Sequence, residues 1–445
     1  MSLSSDAARP LLAPDEARQT SHGILPLARR IIDEARHSLV AALTCSYFNV
    51  LLPCVPLGLL AGRWGWPPAV AFTLNFLAML PLASILTFGT EQLAAIVGSV
   101  AGGLINATFG NAVEMIVGIS ALREDDIAIV QSSMIGSILS SILLILGLCF
   151  LLSGLGKHSV DINMDVAGVL TSLMIISCVS LIMPSALHLA SPQPGDPGDR
   201  PSPQVLLLSR VTSVILLALY LVYLYFQSVT HADLFREDED PPQVRLHGVS
   251  SSAVLVLATA GVSCCSDALV ESVDGFVEAL RVSRSFVGLV VVPVVGNAAC
   301  LVGTAQWSRA GRVSLAVSVI VGATLQISLF VTPLLTVVGW AMGKPMSLQF
   351  DVFETIVLTM STLVVNCVVR DGSTNYFEGL LLLGTYVIVA IAFLVNPDDV
   401  STVAGWVAAP TSIKCEVKPS PGRPARHHES SLGLRLRRHS ALPPA

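Results

Sequence analysis

Eleven stretches of the chain are apolar over enough length to cross a membrane as a helix, which takes roughly 20 residues. They cover about Ser38–Leu60, Ala69–Phe88, Leu93–Leu122, Ile127–Leu155, Val166–Ala190, Val205–Phe226, Val254–Val273, Phe286–Thr304, Leu315–Met342, Val352–Val369 and Phe377–Val395. Polar connections separate them. Two are longer: a Pro/Gly/Asp linker at Ser191–Ser202, and an acidic segment from His231 to Asp240 followed by two prolines. The pattern predicts an all-α polytopic membrane protein.

Within this apolar text one phrase occurs nearly twice. Gly110-Asn-Ala-Val-Glu114 lies in the third run, and Gly296-Asn-Ala-Ala-Cys300 lies in the eighth. Each is in the second span of a group of five, spans two to six and spans seven to eleven. Five is odd, so the second group enters the membrane from the opposite side. The expected fold is two inverted five-helix repeats plus an extra N-terminal helix, an arrangement in which transporters place a substrate site at the midplane. The domain boundaries that follow are an N-terminal tail at 1–36, an extra transmembrane helix at 37–61, a first repeat at 68–227, an acidic loop at 228–249, a second repeat at 250–395, and a disordered Pro/Arg-rich tail at 396–445.

Composition agrees with the pattern. The chain is 53% hydrophobic and 13% charged, with mean hydropathy +0.72, against about 25% charged residues in a soluble domain. The net charge of −6 resides in tails and loops and points to no nucleic-acid partner. Lys and Arg fall more heavily on the loops that share a side with the N-terminus, which places that terminus in the cytosol. The Arg-rich C-terminal tail runs against this rule. The nine cysteines lie mostly in apolar runs without metal-type spacing and read as free thiols. No Ser/His/Asp or paired-aspartate arrangement marks an enzyme.

Glu114 is the main functional candidate. A charge at the centre of a spanning helix costs about 2.5–3.5 kcal/mol on insertion scales, so it should face a pathway or a partner. Gly110, Asn111, Gly296, Asn297 and Pro293 interrupt the two motif helices and free backbone carbonyls, which is tolerated where they line a cavity or are buried in protein. Carbonyls, amide oxygens and a carboxylate suit a hard cation such as Ca²⁺, with Mg²⁺ or Mn²⁺ as alternatives. A buried carboxyl that is ionised when a cation is bound and protonated when it is not supports cation/proton exchange. Accessory candidates are Glu91, Gln131, Ser137, Gln326, and the acidic stripe Asp267, Glu271, Asp274 and Glu278, whose spacing puts it on one helical face. That stripe is either a cation funnel or a solvated helix end.

Asn106-Ala-Thr-Phe-Gly-Asn-Ala-Val-Glu114, Val130-Gln-Ser-Ser-Met-Ile-Gly-Ser-Ile-Leu-Ser140, Leu269-Val-Glu-Ser-Val-Asp-Gly275, the run from Phe286 to Ala299, and Val365-Asn with Asp371-Gly, Asn375 and Glu378-Gly-Leu together resemble the calcium/proton exchanger (CAX) family of the calcium/cation antiporters, vacuolar branch. The resemblance spans about Val40 to Pro397. It implies proton-driven Ca²⁺ uptake into an acidic organelle, with no cofactor, the bilayer as environment, and a homo-oligomer left open. By it, Glu114 is the first of two central carboxylates, and Asp267 matches an acidic position of span seven. Two positions depart from the family. Its second motif reads Gly-Asn-Ala-Ala-Glu-His where this chain has Cys300 and Leu301, and an acid that begins span nine is here Ser314. Cys300 removes an oxygen ligand and a titratable acid. The alternative expectation is therefore a transport-deficient or selectivity-altered paralogue with a regulatory or structural role.

Overall fold

The structure, a computed structural model, describes residues 25–190, 201–232 and 245–395. The linker at 191–200, most of the acidic loop, the tail from 396 and residues 1–24 lie outside the described residues. The rest is almost wholly helical. The first half comprises α3 (Pro68–Val97), α4 (Ser99–Phe109), α5 (Ala112–Arg123), α6 (Ile127–Gly154), α7 (Met164–Ala190) and α8 (Pro203–Thr230), preceded by α1 (Leu25–Thr44) and α2 (Cys54–Arg63). The second half comprises α9 (Gly248–Glu271), α10 (Val273–Leu280), α11 (Arg284–Gly296), α12 (Ala298–Arg309), α13 (Val313–Ala341), α14 (Val352–Arg370) and α15 (Tyr376–Val395).

The halves correspond span by span, with α3 matched by α9 and α10 together. In each, the second span is broken at the motif: α4 meets α5 at 46° across Gly110–Asn111, and α11 gives way to α12 at Asn297. In each, the third span carries a π-helical turn, at Ser140–Ile145 in α6 and at Ile327–Val331 in α13. Such turns frequently mark functional positions. A third, at Val287–Val291, sits just ahead of Pro293. Its wider ring makes room for a proline that would otherwise crowd a carbonyl one turn back. The connections match as well. Asp125 (φ 62) and Gly311 (φ 80) both take the left-handed conformation at equivalent places.

Association of helices in lipid depends on close packing rather than on hydrophobic transfer, so small residues decide it. Gly136 of α6 lies against the backbone of Leu289, and Gly288 of α11 against Ser132. Gly147 and Gly154 of α6 meet Gly379 and Tyr376 of α15. These contacts make α6 the most enclosed span, followed by its counterpart α13. The buried apolar side chains form two cores. One gathers α7, α14 and α15, and the other α3, α5 and α9; α6 and α13 belong to both.

Loops expected on one side do meet. Lys344 pairs with Asp125, and Arg284 pairs with Asp126 (3.1 Å) and Asp274, joining the α5–α6, α10–α11 and α13–α14 connections. At the other end, β1 (Val160–Asp161) pairs antiparallel with β2 (Ser373–Thr374). There Ser314, in place of the expected acid, accepts from the backbone N–H of Asn163 at 3.0 Å.

Two expectations need correction. The first apolar run is not one helix: residues Asp33–Thr44 and Tyr47–Arg63 meet at 98°. The cause is Asn49, whose Nδ2 donates to the carbonyls of Ala42 (2.8 Å) and Leu43 (3.0 Å) and so ends α1. The acidic stripe is not one helical face either. At Ser272 (φ −92°, ψ −2°) the backbone N–H bonds the carbonyl of Leu269 at 3.1 Å, a tightened turn that separates α9 from α10. Asp267 and Glu271 stay on α9, Asp274 and Glu278 fall on α10, and all four are exposed.

Candidate cation and proton site

Glu114 is the third residue of α5, so its carboxyl lies in the first turn of a helix, where the partial positive charge of unpaired N–H groups favours an anion. It is only 6% exposed, and its Oε2 is buried without a hydrogen-bond partner. A buried, unpartnered polar atom is costly and calls for a function. The other oxygen, Oε1, lies against Gly296 of the second motif, where any side chain would overlap it. The two motifs are thus in direct contact, and the glycine makes the contact feasible.

The asparagines tie each motif to the π-bearing span of the other half. Asn111 Nδ2 donates to Gln326 Oε1 at 2.7 Å, linking α5 to α13. Ser141 Oγ lies 3.5 Å from Asn297 Oδ1, bringing α6 against the α11–α12 break. The offset that carries Gly110 onto Gly296 carries Ser140 onto Gln326, so the links are near mirror images. Asn297 Nδ2 is buried without a partner. Rotating that amide would give Nδ2 to Ser141 and free Oδ1 as an acceptor.

Cys300 occupies the first turn of α12, as Glu114 does in α5. It is half-buried, with its sulfur 4.0 Å from Thr304 Oγ1 and apolar neighbours around it. The mirror position therefore holds a neutral, soft group where the first half holds a carboxyl.

The accessory candidates divide. Gln326 joins the centre through Asn111. Ser137 is buried on α6, one turn from Ser141, which donates to its carbonyl at 2.9 Å. Gln131 turns away and donates to Ser347 O at 2.8 Å in the α13–α14 connection. Asp267 accepts from Ser120 at 2.6 Å at the edge of the bundle. Glu91 is exposed on α3, which continues to Val97 beyond the expected end. Its neighbour Gln92 is the anchor: it accepts from the N–H groups of Arg245 (2.6 Å) and Leu246 (3.2 Å), where the chain re-enters the bundle. Sequence reasoning passed over one further group. Glu354 of α14 is 2% exposed and accepts from Ser132 Oγ at 2.5 Å. The available signal was an acid two residues inside an apolar run, the kind of signal that singled out Glu114.

Two like halves, each with a helix broken at a polar motif, and the motifs touching in the interior, define a polytopic ion carrier. The chain belongs to the family of the sodium/calcium exchanger protein, whose family model matches twice, over residues 67–229 and 250–395. It is 41% identical to the vacuolar calcium ion transporter of Schizosaccharomyces pombe, over 80% of this chain and 87% of that protein. It is 36% identical to the Ca(2+)/H(+) antiporter of Synechocystis sp., over 79% of this chain and 97% of that one. The solved structure of native YfkE matches with TM-score 0.67 at 32% identity, covering 78% of this chain and 100% of that chain. The resemblance to the calcium/proton exchangers is borne out.

Proposed function

We propose that this chain exchanges Ca²⁺ for protons across the membrane of an acidic, vacuole-type organelle, with Ca²⁺ moving inward and H⁺ moving out. The observation that carries the reading is Glu114, buried against Gly296 at the contact of the two motifs, with one oxygen unpartnered. The names of the relatives support the same cargo: vacuolar calcium ion transporter, Ca(2+)/H(+) antiporter and vacuolar cation/proton exchanger.

Glu114 is the exchanging group. With Ca²⁺ bound, its carboxylate is ionised and supplies the charged oxygen. Asn297, with its amide turned, and the carbonyls around the helix breaks at Gly110 and Gly296 supply neutral oxygens of the kind Ca²⁺ prefers. When Ca²⁺ leaves, an ionised carboxylate in this enclosed position is unfavourable, so a proton replaces the cation. Neither ion needs to be present with the other, which couples their movements. Asn111 and Gln326 hold the α5 motif to α13, so the site can change its access as the halves shift. The presence of Cys300 leaves one carboxylate in contact with the cargo.

The test is ⁴⁵Ca uptake into vesicles of acidic interior. Uptake that an uncoupler abolishes supports the exchange. Absence of uptake, with the protein correctly inserted, favours a regulatory or structural paralogue.

A further inference from the structure

We propose that Glu354 is the port through which protons reach Glu114 from the end of the bundle that carries the α13–α14 connection, which the N-inside orientation places in the organelle lumen. The inference rests on the proton-exchange reading above and assigns a residue to the proton's route.

Among the described residues, two acidic side chains are buried, and they are Glu114 and Glu354. Glu354 lies in the first turn of α14, directly after the α13–α14 connection. It accepts from Ser132 of α6. From Ser132, α6 carries further buried hydroxyls at Ser133, Ser137, Ser140 and Ser141. The last of these lies 3.5 Å from Asn297 Oδ1 beside the site. At 1.5 Å per residue, Ser132 and Ser141 are about 14 Å apart along the axis. A hydroxyl is both donor and acceptor, so it can give up one O–H bond as it gains another, with single waters between successive turns. This row of hydroxyls starts at the Glu354 carboxyl and ends beside Asn297, one water short of the Glu114 carboxyl, and is suited to proton movement. It offers no further charged oxygen to hold Ca²⁺ on the way.

The transfer balances. Glu354 takes a proton from lumenal water. The hydroxyl row, through a water at its Asn297 end, delivers one to Glu114 as Ca²⁺ departs, and each serine and each water ends with the proton count it began with. Other charged and titratable groups at this end are Asp351 at the N-cap of Glu354's own helix, the Asp126–Arg284 pair on α6 and α11, the Lys344–Asp125 pair, His188 near the end of α7, and Arg210 of α8, whose guanidinium lies over the Trp340 ring.

The experiment uses the full chain in vesicles, with outside Ca²⁺ fixed and lumenal pH varied. Uncoupler-sensitive uptake by the unaltered protein is established first; without it the exchange reading fails, and this inference falls with it. Glu354→Gln keeps the shape and can still accept from Ser132. It is expected to need roughly tenfold more lumenal protons, about one pH unit, for half-maximal uptake. Its half-saturating outside Ca²⁺ is expected to stay unchanged, and its rate in the most acidic lumen to stay within about twofold of the original. Ser132→Ala should shift the pH dependence in the same direction, and Glu354→Asp should recover part of it. An unchanged lumenal pH dependence in Glu354→Gln, or an equal loss at every lumenal pH, overturns the proposal and leaves Glu354 as an anchor between α14 and α6.

Discussion

The carboxyl of Glu114 rests directly on the Cα of Gly296, so the first motif's acid is held by the second motif's glycine. A methyl group at residue 296 would overlap Oε1, Cδ and Cγ of Glu114. Gly296→Ala is therefore expected to displace the carboxyl and to lower ⁴⁵Ca uptake at least about tenfold. Overpacking of this kind costs about 1–3 kcal/mol, so the protein should remain folded with a lowered melting temperature in detergent. Wild-type uptake in this variant would show that the contact is incidental.

Cys300 stands where the mirror of Glu114 would be. If one carboxylate limits Ca²⁺ affinity, Cys300→Glu should lower the half-saturating Ca²⁺ concentration about tenfold, equivalent to about 1.4 kcal/mol. The concentration dependence of uptake gives the answer. An unchanged value would place residue 300 outside the cargo's reach.

Much of this site is legible in the sequence, because a repeated polar phrase in an apolar chain is conspicuous. Gly110, Asn111, Glu114, Gly296 and Asn297 come together, and Gln326 joins them. Asn111–Gln326 is not readable as a pair from sequence alone, since it depends on how α5 and α13 pack. Glu354 escaped notice because it sits near the end of its apolar run, where an acid reads as the start of a solvated turn. Its burial comes from the extended segment before it, in which Met346, Leu348 and Phe350 plug into the bundle. The bend after α1 and the break at Ser272 were equally hidden. The first is set by the Asn49 side chain bonding backbone carbonyls and the second by a tightened backbone turn, neither of which hydropathy records.

Outside the spans, Asp126 gives a pH-dependent prediction. Its Oδ1 accepts from the N–H of Ile129 at 3.2 Å and its Oδ2 pairs with Arg284. Burial raises its carboxyl above the usual aspartate range; the Ile129 amide and Arg284 pull it down without cancelling the rise, and Asp274 adds to the rise. A raised folded-state value means that the folded protein keeps a proton the unfolded chain has already lost. The stabilisation is full below the unfolded value, about pH 4, and is lost as pH rises through the folded one. Asp126→Asn should therefore flatten the decline in melting temperature above about pH 4. Melts across that range check it, and an equal decline in both proteins would contradict it.

The most direct measurement is ⁴⁵Ca uptake into acidified vesicles by the original chain and by Glu114→Gln, each with and without an uncoupler. Gln is close in shape to the protonated acid but can neither ionise nor release a proton. The account predicts uncoupler-sensitive uptake by the original chain and a loss of at least about a hundredfold in the variant. Uncoupler-sensitive uptake that survives Glu114→Gln would contradict the claim that this carboxyl exchanges Ca²⁺ for protons.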